Sequence, residues 1–156
     1  MADYSFTLPD PASTEKHGAA LAQLLKTGDT VLLYGDLGMG KTSLCRGIIH
    51  ALTKAEQNVV SPTFTLVQSY ETPSSIVYHY DLYRLHQGDQ RAIEELGWEE
   101  SRMHGIVLVE WPERLDSFTP KDALSVYLTA CPQGGRSLRY KGNAEWLKRL
   151  DKLGPE

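Results

Sequence analysis

Short apolar runs alternate with stretches of helical periodicity along most of the chain. The strand-like runs lie at residues 4–8, 30–34, 64–70, 76–80, 106–109, 123–130 and 137–140. Helical spacing of apolar residues predicts helices at 11–26, 41–52, 90–96 and 144–153. Asp10 is the predicted N-cap of the first helix, with Pro11 in its first turn, and Gly97 is the predicted end of the third.

The character of these runs predicts how the strands pair. Residues 30–34 and 106–109 are continuously apolar, which is typical of strands buried on both faces of a parallel sheet. Residues 64–70 and 76–80 are joined by a short Thr-Pro-Ser connection, which predicts an antiparallel hairpin. We therefore expect a three-layer α/β fold. Its sheet would be mixed and mainly parallel, with added antiparallel strands, in a single domain over residues 1–156.

Composition narrows the classes of function. Sixteen basic and twenty acidic residues give a net charge of −4, which disfavours a broad basic face that holds nucleic acid directly. A contact with RNA through a more basic partner stays open. Cys45 and Cys131 lack metal-type spacing and are interpreted as reduced thiols. The apolar runs are too short to cross a bilayer and the first residues lack a secretory pattern, so we expect a cytoplasmic protein without a membrane contact.

A glycine-rich segment lies between a buried strand and a helix. It matches the pattern G-x-x-x-x-G-K-[ST] and comprises Gly35, Asp36, Leu37, Gly38, Met39, Gly40, Lys41 and Thr42. The expected three-layer fold is therefore of the P-loop NTPase type. Glycines let successive backbone N–H groups turn toward one phosphate, and the helix start adds its positive dipole end. We expect this segment and Ser43 to bind ATP, with Lys41 on the β- and γ-phosphates and the Thr42 hydroxyl on Mg²⁺.

A magnesium-dependent P-loop also needs an acidic residue, usually at the end of a neighbouring buried strand. Glu110 ends the most apolar strand, and Asp81 ends the run at 76–80. We expect Glu110 to lie at Mg²⁺, with Asp81 in the water shell of the metal or orienting the attacking water. The segment Ser61-Pro62-Thr63 is either a switch loop that supplies a hydroxyl or an ordinary turn, and spacing does not choose between them.

Four segments together resemble the bacterial TsaE (YjeE) family. They are GDLGMGKTSL at 35–44, SPTFTLV at 61–67, YHYDLYRL at 78–85 and VEWPER at 109–114. The resemblance covers nearly the whole chain, in the same order and with similar spacing. It departs in minor ways, including Cys45 in place of a hydroxyl or apolar residue.

The resemblance implies a small ATPase required to make threonylcarbamoyladenosine at position 37 of tRNAs that read ANN codons. It implies action on the TsaB–TsaD heterodimer, with tRNA met only through that complex. Thr42 and Glu110 would then bind Mg²⁺, and Asp81 would be needed for hydrolysis. Thr63 would belong to the switch-like loop. Trp111 would lie beside the nucleotide, although a packing role is as reasonable, and Arg136 matches a basic position that suggests a nucleotide contact.

Two other classes of function stay open at this point. A small-molecule P-loop kinase would transfer the γ-phosphate to a hydroxyl, but such kinases usually carry an arginine-rich lid. After Asp81 only the widely spaced Arg84, Arg91 and Arg102 follow before the next buried strand. A binding module with a merely structural nucleotide is disfavoured because it would need no acidic residues.

We expect Lys41→Ala or Thr42→Ala to abolish ATP hydrolysis, because each removes a group predicted to contact a phosphate or its metal. Phosphate release by purified variants measures the effect. Unchanged turnover in these variants would mean that the loop has been misinterpreted.

Overall fold

A seven-stranded sheet organises the part of the chain that the computed structural model describes, residues 4–55, 59–62 and 65–154. Its strands are β1 Tyr4–Leu8, β2 Thr30–Tyr34, β3 Val67–Glu71, β4 Ile76–Asp81, β5 Ile106–Glu110, β6 Leu124–Ala130 and β7 Arg136–Lys141. The helices are α1 Pro11–Ala22, α2 Lys41–Thr53, α3 Gln90–Glu95, α4 Trp98–His104 and α5 Ala144–Leu150. Two 3-10 segments, Pro112–Phe118 and Asp151–Leu153, follow β5 and α5.

The sheet has the order β1-β7-β6-β2-β5-β4-β3. Its four central strands, β6, β2, β5 and β4, are mutually parallel, whereas β1, β7 and β3 add antiparallel pairs at the two edges. This is the predicted mixed sheet with antiparallel additions. The parallel centre has a direct consequence, since the carboxyl ends of β2, β5 and β4 all meet at one edge.

Successive side chains of the central strands point to opposite faces of the sheet, so the core has two layers. Val31 and Leu33 of β2 point to the face covered by α1, α2 and α5, whereas Leu32 points to the face covered by α3 and α4. Trp146 of α5 lies in the first layer and Trp98 of α4 in the second. The three-layer arrangement predicted from sequence is therefore confirmed.

Two glycines allow α1 and α2 to approach each other closely. A Cβ added at Gly47 would lie 2.0 Å from the carbonyl oxygen of Glu15, and one added at Gly18 would lie 2.4 Å from the carbonyl oxygen of Leu44. No side chain fits at such distances, so the backbones of the two helices are in direct contact. This contact fixes the helix that follows the glycine-rich loop.

The first helix ends four residues earlier than predicted. Its C-cap is Gln23, and a side-chain oxygen of Asp29 accepts a hydrogen bond from the backbone N–H of Lys26 at 2.8 Å. The same carboxylate binds Arg149 of α5 at 2.6 Å. A tertiary ion pair thus stabilises a turn where the local pattern favours helix.

Other boundaries also differ from the prediction. Of the strand expected at residues 64–70, residue 64 lies outside the described residues, and the observed strand begins at Val67, after Leu66 with a positive φ of 68°. Helix α4 and the 3-10 segment after β5 were not predicted. Gly97 adopts the left-handed conformation after α3, as expected of a helix-ending glycine, and it also precedes α4. The Asp10 N-cap is confirmed, because its carboxylate accepts from the Ser13 N–H at 2.8 Å.

None of the helices among the described residues combines the length and apolarity that a bilayer crossing requires. The expectation of a cytoplasmic location stays a prediction.

Gly47→Ala tests the close helix contact. Alanine normally stabilises a helix by about 1 kcal/mol relative to glycine. Here the added methyl group would push α1 away, so we expect a net loss of about 1–3 kcal/mol in the free energy of unfolding. Urea denaturation measures it. Lys16→Ala, at an exposed position of α1, is the control and should change the unfolding free energy by less than about 0.5 kcal/mol; a stabilised Gly47→Ala protein would contradict the close contact.

Candidate nucleotide-binding site

The glycine-rich loop joins the end of β2 to the start of α2 at the edge where the parallel strands end. Gly38 and Gly40 have φ angles of 80° and 98°, in the left-handed region that favours glycine. A Cβ at Gly35 would lie 2.8 Å from the carbonyl oxygen of Leu128 in β6. The loop therefore curls tightly over the sheet edge, and α2 begins at Lys41 with its first N–H groups at this point.

Lys41 is held inside the loop. Its ammonium group donates to the carbonyl oxygen of Gly35 at 2.5 Å and lies 3.7 Å from the centre of the Trp111 ring. Only 5% of the residue is exposed. Burial lowers the pKa of Lys41, and the carboxylates of Glu110 and Glu113 act in the opposite direction. A cation is thus placed where an anionic ligand would meet the start of α2.

Thr42 and Glu110 meet beneath the loop. The Thr42 hydroxyl lies 3.2 and 3.3 Å from the two carboxylate oxygens of Glu110. The parallel pairing of β2 with β5 brings them together, since Leu33 and Glu110 are register partners near the strand ends. Only 3% of Glu110 is exposed, and a buried carboxylate is stabilised by a nearby cation. This hydroxyl and this carboxylate are the hard oxygen ligands that suit Mg²⁺.

Asp81 lies next to Glu110 across the sheet, because the two are register partners in the parallel β4–β5 pair. Its carboxylate accepts hydrogen bonds from the Ser61 hydroxyl and, at 3.0 Å, from the Tyr83 N–H. Ser61 thereby links the segment before β3 to this acidic side chain. Thr63, predicted for the switch-like loop, lies outside the described residues.

His79 is a site residue that the sequence reasoning did not assign. Its Nε2 lies 2.6 Å from a carboxylate oxygen of Glu110, and the ring is fully buried. Strand periodicity contained the signal, since His79 is two residues before Asp81 and therefore on the same face of β4. Among the described residues, its Nδ1 has no hydrogen-bond partner.

Trp111 directly follows Glu110 in a left-handed conformation, with φ of 58°. Its ring covers the Lys41 ammonium and lies 4.9 Å from the ring of Tyr83, centre to centre. The side chain also lines the cavity described next. Trp111 can therefore pack against Lys41 and Tyr83 and also lie beside a ligand in the cavity.

A cavity of about 420 Å³ brings most of the predicted residues together. Its lining includes Leu37, Gly38, Gly40, Lys41, Thr42, Ser43, Asp81, Glu110, Trp111 and Arg136. Of the other loop residues, Gly35 receives the Lys41 bond, and Met39 donates its N–H to the Asp36 carbonyl at 3.2 Å.

Arg136 and the β1–α1 connection close the far side of the cavity. Arg136 donates to the carbonyl oxygen of Gly38 at 3.0 Å, so it holds the glycine-rich loop from the β6–β7 turn. The wall beside it is formed by Leu8, Pro9, Asp10, Pro11 and Thr14, together with Gly135. The sequence reasoning missed this wall, because no local motif marks it and only sheet pairing brings it to the loop.

A buried strand, a tight glycine-rich loop and a helix, with acidic residues at the ends of two neighbouring parallel strands, define a P-loop nucleotide-binding fold. The family model described as "Threonylcarbamoyl adenosine biosynthesis protein TsaE" matches residues 8–138. The chain therefore belongs to the TsaE family.

Individual relatives agree with this assignment. A protein of Rickettsia felis is 41% identical over 94% of this chain and 84% of its own length. One of Synechocystis is 46% identical over 70% of this chain and 71% of its own length. Both are named tRNA threonylcarbamoyladenosine biosynthesis protein TsaE. The crystal structure of Bacillus subtilis YdiB superposes with a TM-score of 0.80 at 24% identity, covering 97% of this chain and 94% of that one, which supports the fold.

Substitution of Glu110 tests its place at the metal. We expect Glu110→Ala and Glu110→Gln each to raise the Mg²⁺ concentration needed for nucleotide binding by about tenfold or more, because a close pair of opposite charges contributes several kcal/mol. Nucleotide affinity measured across a magnesium titration gives the shift. Glu113→Gln removes a nearby exposed charge and should change little. An unaltered titration in the Glu110 variants would remove this residue from the metal site.

Proposed function

We propose that the protein is an ATPase subunit for tRNA threonylcarbamoyladenosine synthesis that binds and hydrolyses ATP with Mg²⁺. In this role it acts on the TsaB–TsaD heterodimer and serves modification at position 37 of tRNAs that read ANN codons. Membership of the TsaE family supports the pathway. The observation that carries the ATPase activity is the meeting of Thr42 with Glu110 at the base of the glycine-rich loop.

The loop supplies the phosphate contacts in this proposal. Backbone N–H groups at the start of α2 point toward the cavity edge, and the 13-residue helix adds its positive dipole end. Lys41 exchanges its bond to the Gly35 carbonyl for a phosphate oxygen. Because the Trp111 ring and the protein around it shield the ammonium from water, that new contact is stronger than it would be in bulk solvent.

Thr42 and Glu110 are the residues that would hold Mg²⁺. When bound, the ion supplies charge neutralisation and Lewis acidity at the phosphates. Asp81, fixed by the Ser61 hydroxyl and the Tyr83 N–H, is assigned to the water shell of the metal or to orienting the attacking water. A residue that orients water must itself be held in place, and these two bonds do so.

The rim of the cavity favours a protein partner. Leu37, Val60 and Tyr83 are large apolar residues with exposed fractions of 66%, 60% and 41%. Leu37 lines the cavity, Val60 precedes Ser61, and Tyr83 contacts Trp111. A protein partner that docks over the cavity would cover apolar side chains of this kind. In this proposal the partner is TsaB–TsaD, tRNA is met only through that complex, and the assembly is cytoplasmic.

The kinase alternative receives no support from two of the three arginines between Asp81 and β5. Arg91 pairs with Glu95 within α3, and Arg102 pairs with Asp122 at 3.0 Å. Neither of these two side chains lines the cavity. The ATPase proposal is therefore preferred.

Phosphate release from ATP, measured with and without purified TsaB and TsaD, tests the proposal. We expect weak turnover alone and a clear increase with both partners, since hydrolysis is proposed to act on their complex. A pull-down with ATP and with ADP shows which nucleotide state the complex prefers. Lys41→Ala serves as the inactive control.

Three outcomes of this assay would contradict the proposal. Phosphate on an added metabolite would indicate a kinase. ATP that binds but is not cleaved, even with partners, would indicate a binding module. Turnover that the partners leave unchanged would remove TsaB–TsaD from the proposal.

A further inference from the structure

A thiol, an imidazole and a carboxylate meet directly behind the Thr42–Glu110 pair. Ligand atoms of Cys45, His79 and Glu110 all lie within 4.8 Å of one another, and all three residues are buried. Cys45 follows Thr42 by one helical turn on α2, so both side chains face the end of β5. His79 reaches the same point from β4, on the sheet face that α2 covers.

One nitrogen of the imidazole faces the Glu110 carboxylate. Nε2 of His79 lies 2.6 Å from a carboxylate oxygen of Glu110, and Nδ1 lies on the other side of the buried ring. An ion shared by the three side chains would therefore be bound by Nε2, in place of its present contact with Glu110.

The ligand types select a class of ion. Mg²⁺ prefers oxygen ligands and rarely binds a thiolate, whereas Zn²⁺ and Co²⁺ bind cysteine, histidine and carboxylate together. Three protein ligands leave a fourth position open for water, as in zinc sites that exchange ligands. We propose that Cys45, His79 and Glu110 form a second metal site, for Zn²⁺ or a similar transition-metal ion, directly behind the nucleotide site.

The charges of the ligands match that of a divalent ion once the Cys45 thiol has lost its proton. Burial raises the pKa of Cys45 well above its usual value, and the Glu110 and Asp81 carboxylates raise it further. On binding, the S–H bond breaks, the proton leaves to solvent and a sulfur–metal bond forms. The thiolate and the Glu110 carboxylate would then offset the two charges of the ion.

Sharing of Glu110 predicts an antagonism. A transition-metal ion at this site takes the carboxylate that Mg²⁺ needs, so it should inhibit magnesium-dependent nucleotide binding. This consequence rests on the proposed function, whereas the binding of the transition-metal ion itself does not.

Cobalt titration of the nucleotide-free full chain, stripped with a chelator, tests the site directly. We expect one equivalent of Co²⁺ to bind with a thiolate-to-cobalt charge-transfer band in the near ultraviolet. Cys131→Ser removes the other thiol and should keep the band. Cys45→Ser and Cys45→Ala should lose it, and His79→Gln should weaken cobalt binding by at least about tenfold.

A wild-type protein without the charge-transfer band would overturn the proposal, whether or not the variants fold. The proposal also fails if folded Cys45→Ala, checked by circular dichroism, keeps the band. If the band is present but the protein never binds magnesium-nucleotide, the proposed function fails while the metal site stands.

Zn²⁺ added at fixed Mg²⁺ and nucleotide tests the antagonism. Each variant is compared with its own zinc-free binding. We expect wild type and Cys131→Ser to lose nucleotide binding and Cys45→Ala to resist by at least about tenfold in zinc concentration. Equal sensitivity of Cys45→Ala and wild type would show that zinc acts elsewhere.

Discussion

The interaction on which the site depends is the contact of one buried carboxylate with the first turn of α2. Glu110 has almost no access to solvent, yet it lies within hydrogen-bond distance of both Thr42 and His79. A carboxylate is costly at such a place unless cations or donors surround it. Lys41 nearby, the Thr42 hydroxyl and the positive end of the helix provide that environment. The features that stabilise the buried acid are also those that the proposed function assigns to phosphate and a divalent ion.

A rigid scaffold holds this arrangement. The parallel pairing of β2, β5 and β4 brings the loop, Glu110 and Asp81 to one edge of the sheet. Direct backbone contact at Gly18 and Gly47 fixes α2 against α1, and the Arg149–Asp29 pair ties α5 to the turn before β2. Groups that must act within a fraction of an ångström need such support, because loose positions lose their contacts steeply with distance.

In the two proposals, Glu110 would take part in two kinds of metal chemistry. Toward the cavity it faces the Thr42 hydroxyl, an oxygen ligand suited to Mg²⁺. Toward the core it faces His79 and Cys45, which suit a softer ion. One carboxylate cannot bind both ions at full strength. The ion that Glu110 binds would therefore decide whether magnesium-dependent nucleotide binding can occur. Cys45 supplies the thiol on which the second proposal depends.

Local sequence patterns were sufficient to predict much of this fold. The apolar run of β2, the glycines of the loop and the helical spacing after Lys41 determined the central unit, because neighbouring residues fix the backbone conformation. The positions of acidic residues at strand ends predicted that Glu110 and Asp81 lie at this edge of the sheet. Tertiary structure alone decided the early end of α1, which depends on the distant Arg149–Asp29 pair, and the wall formed by Pro9 and Gly135. It also decided that His79 and Cys45 lie beside Glu110. This arrangement requires the register of two parallel strands and the packing of α2 on them, and residues close in sequence set neither.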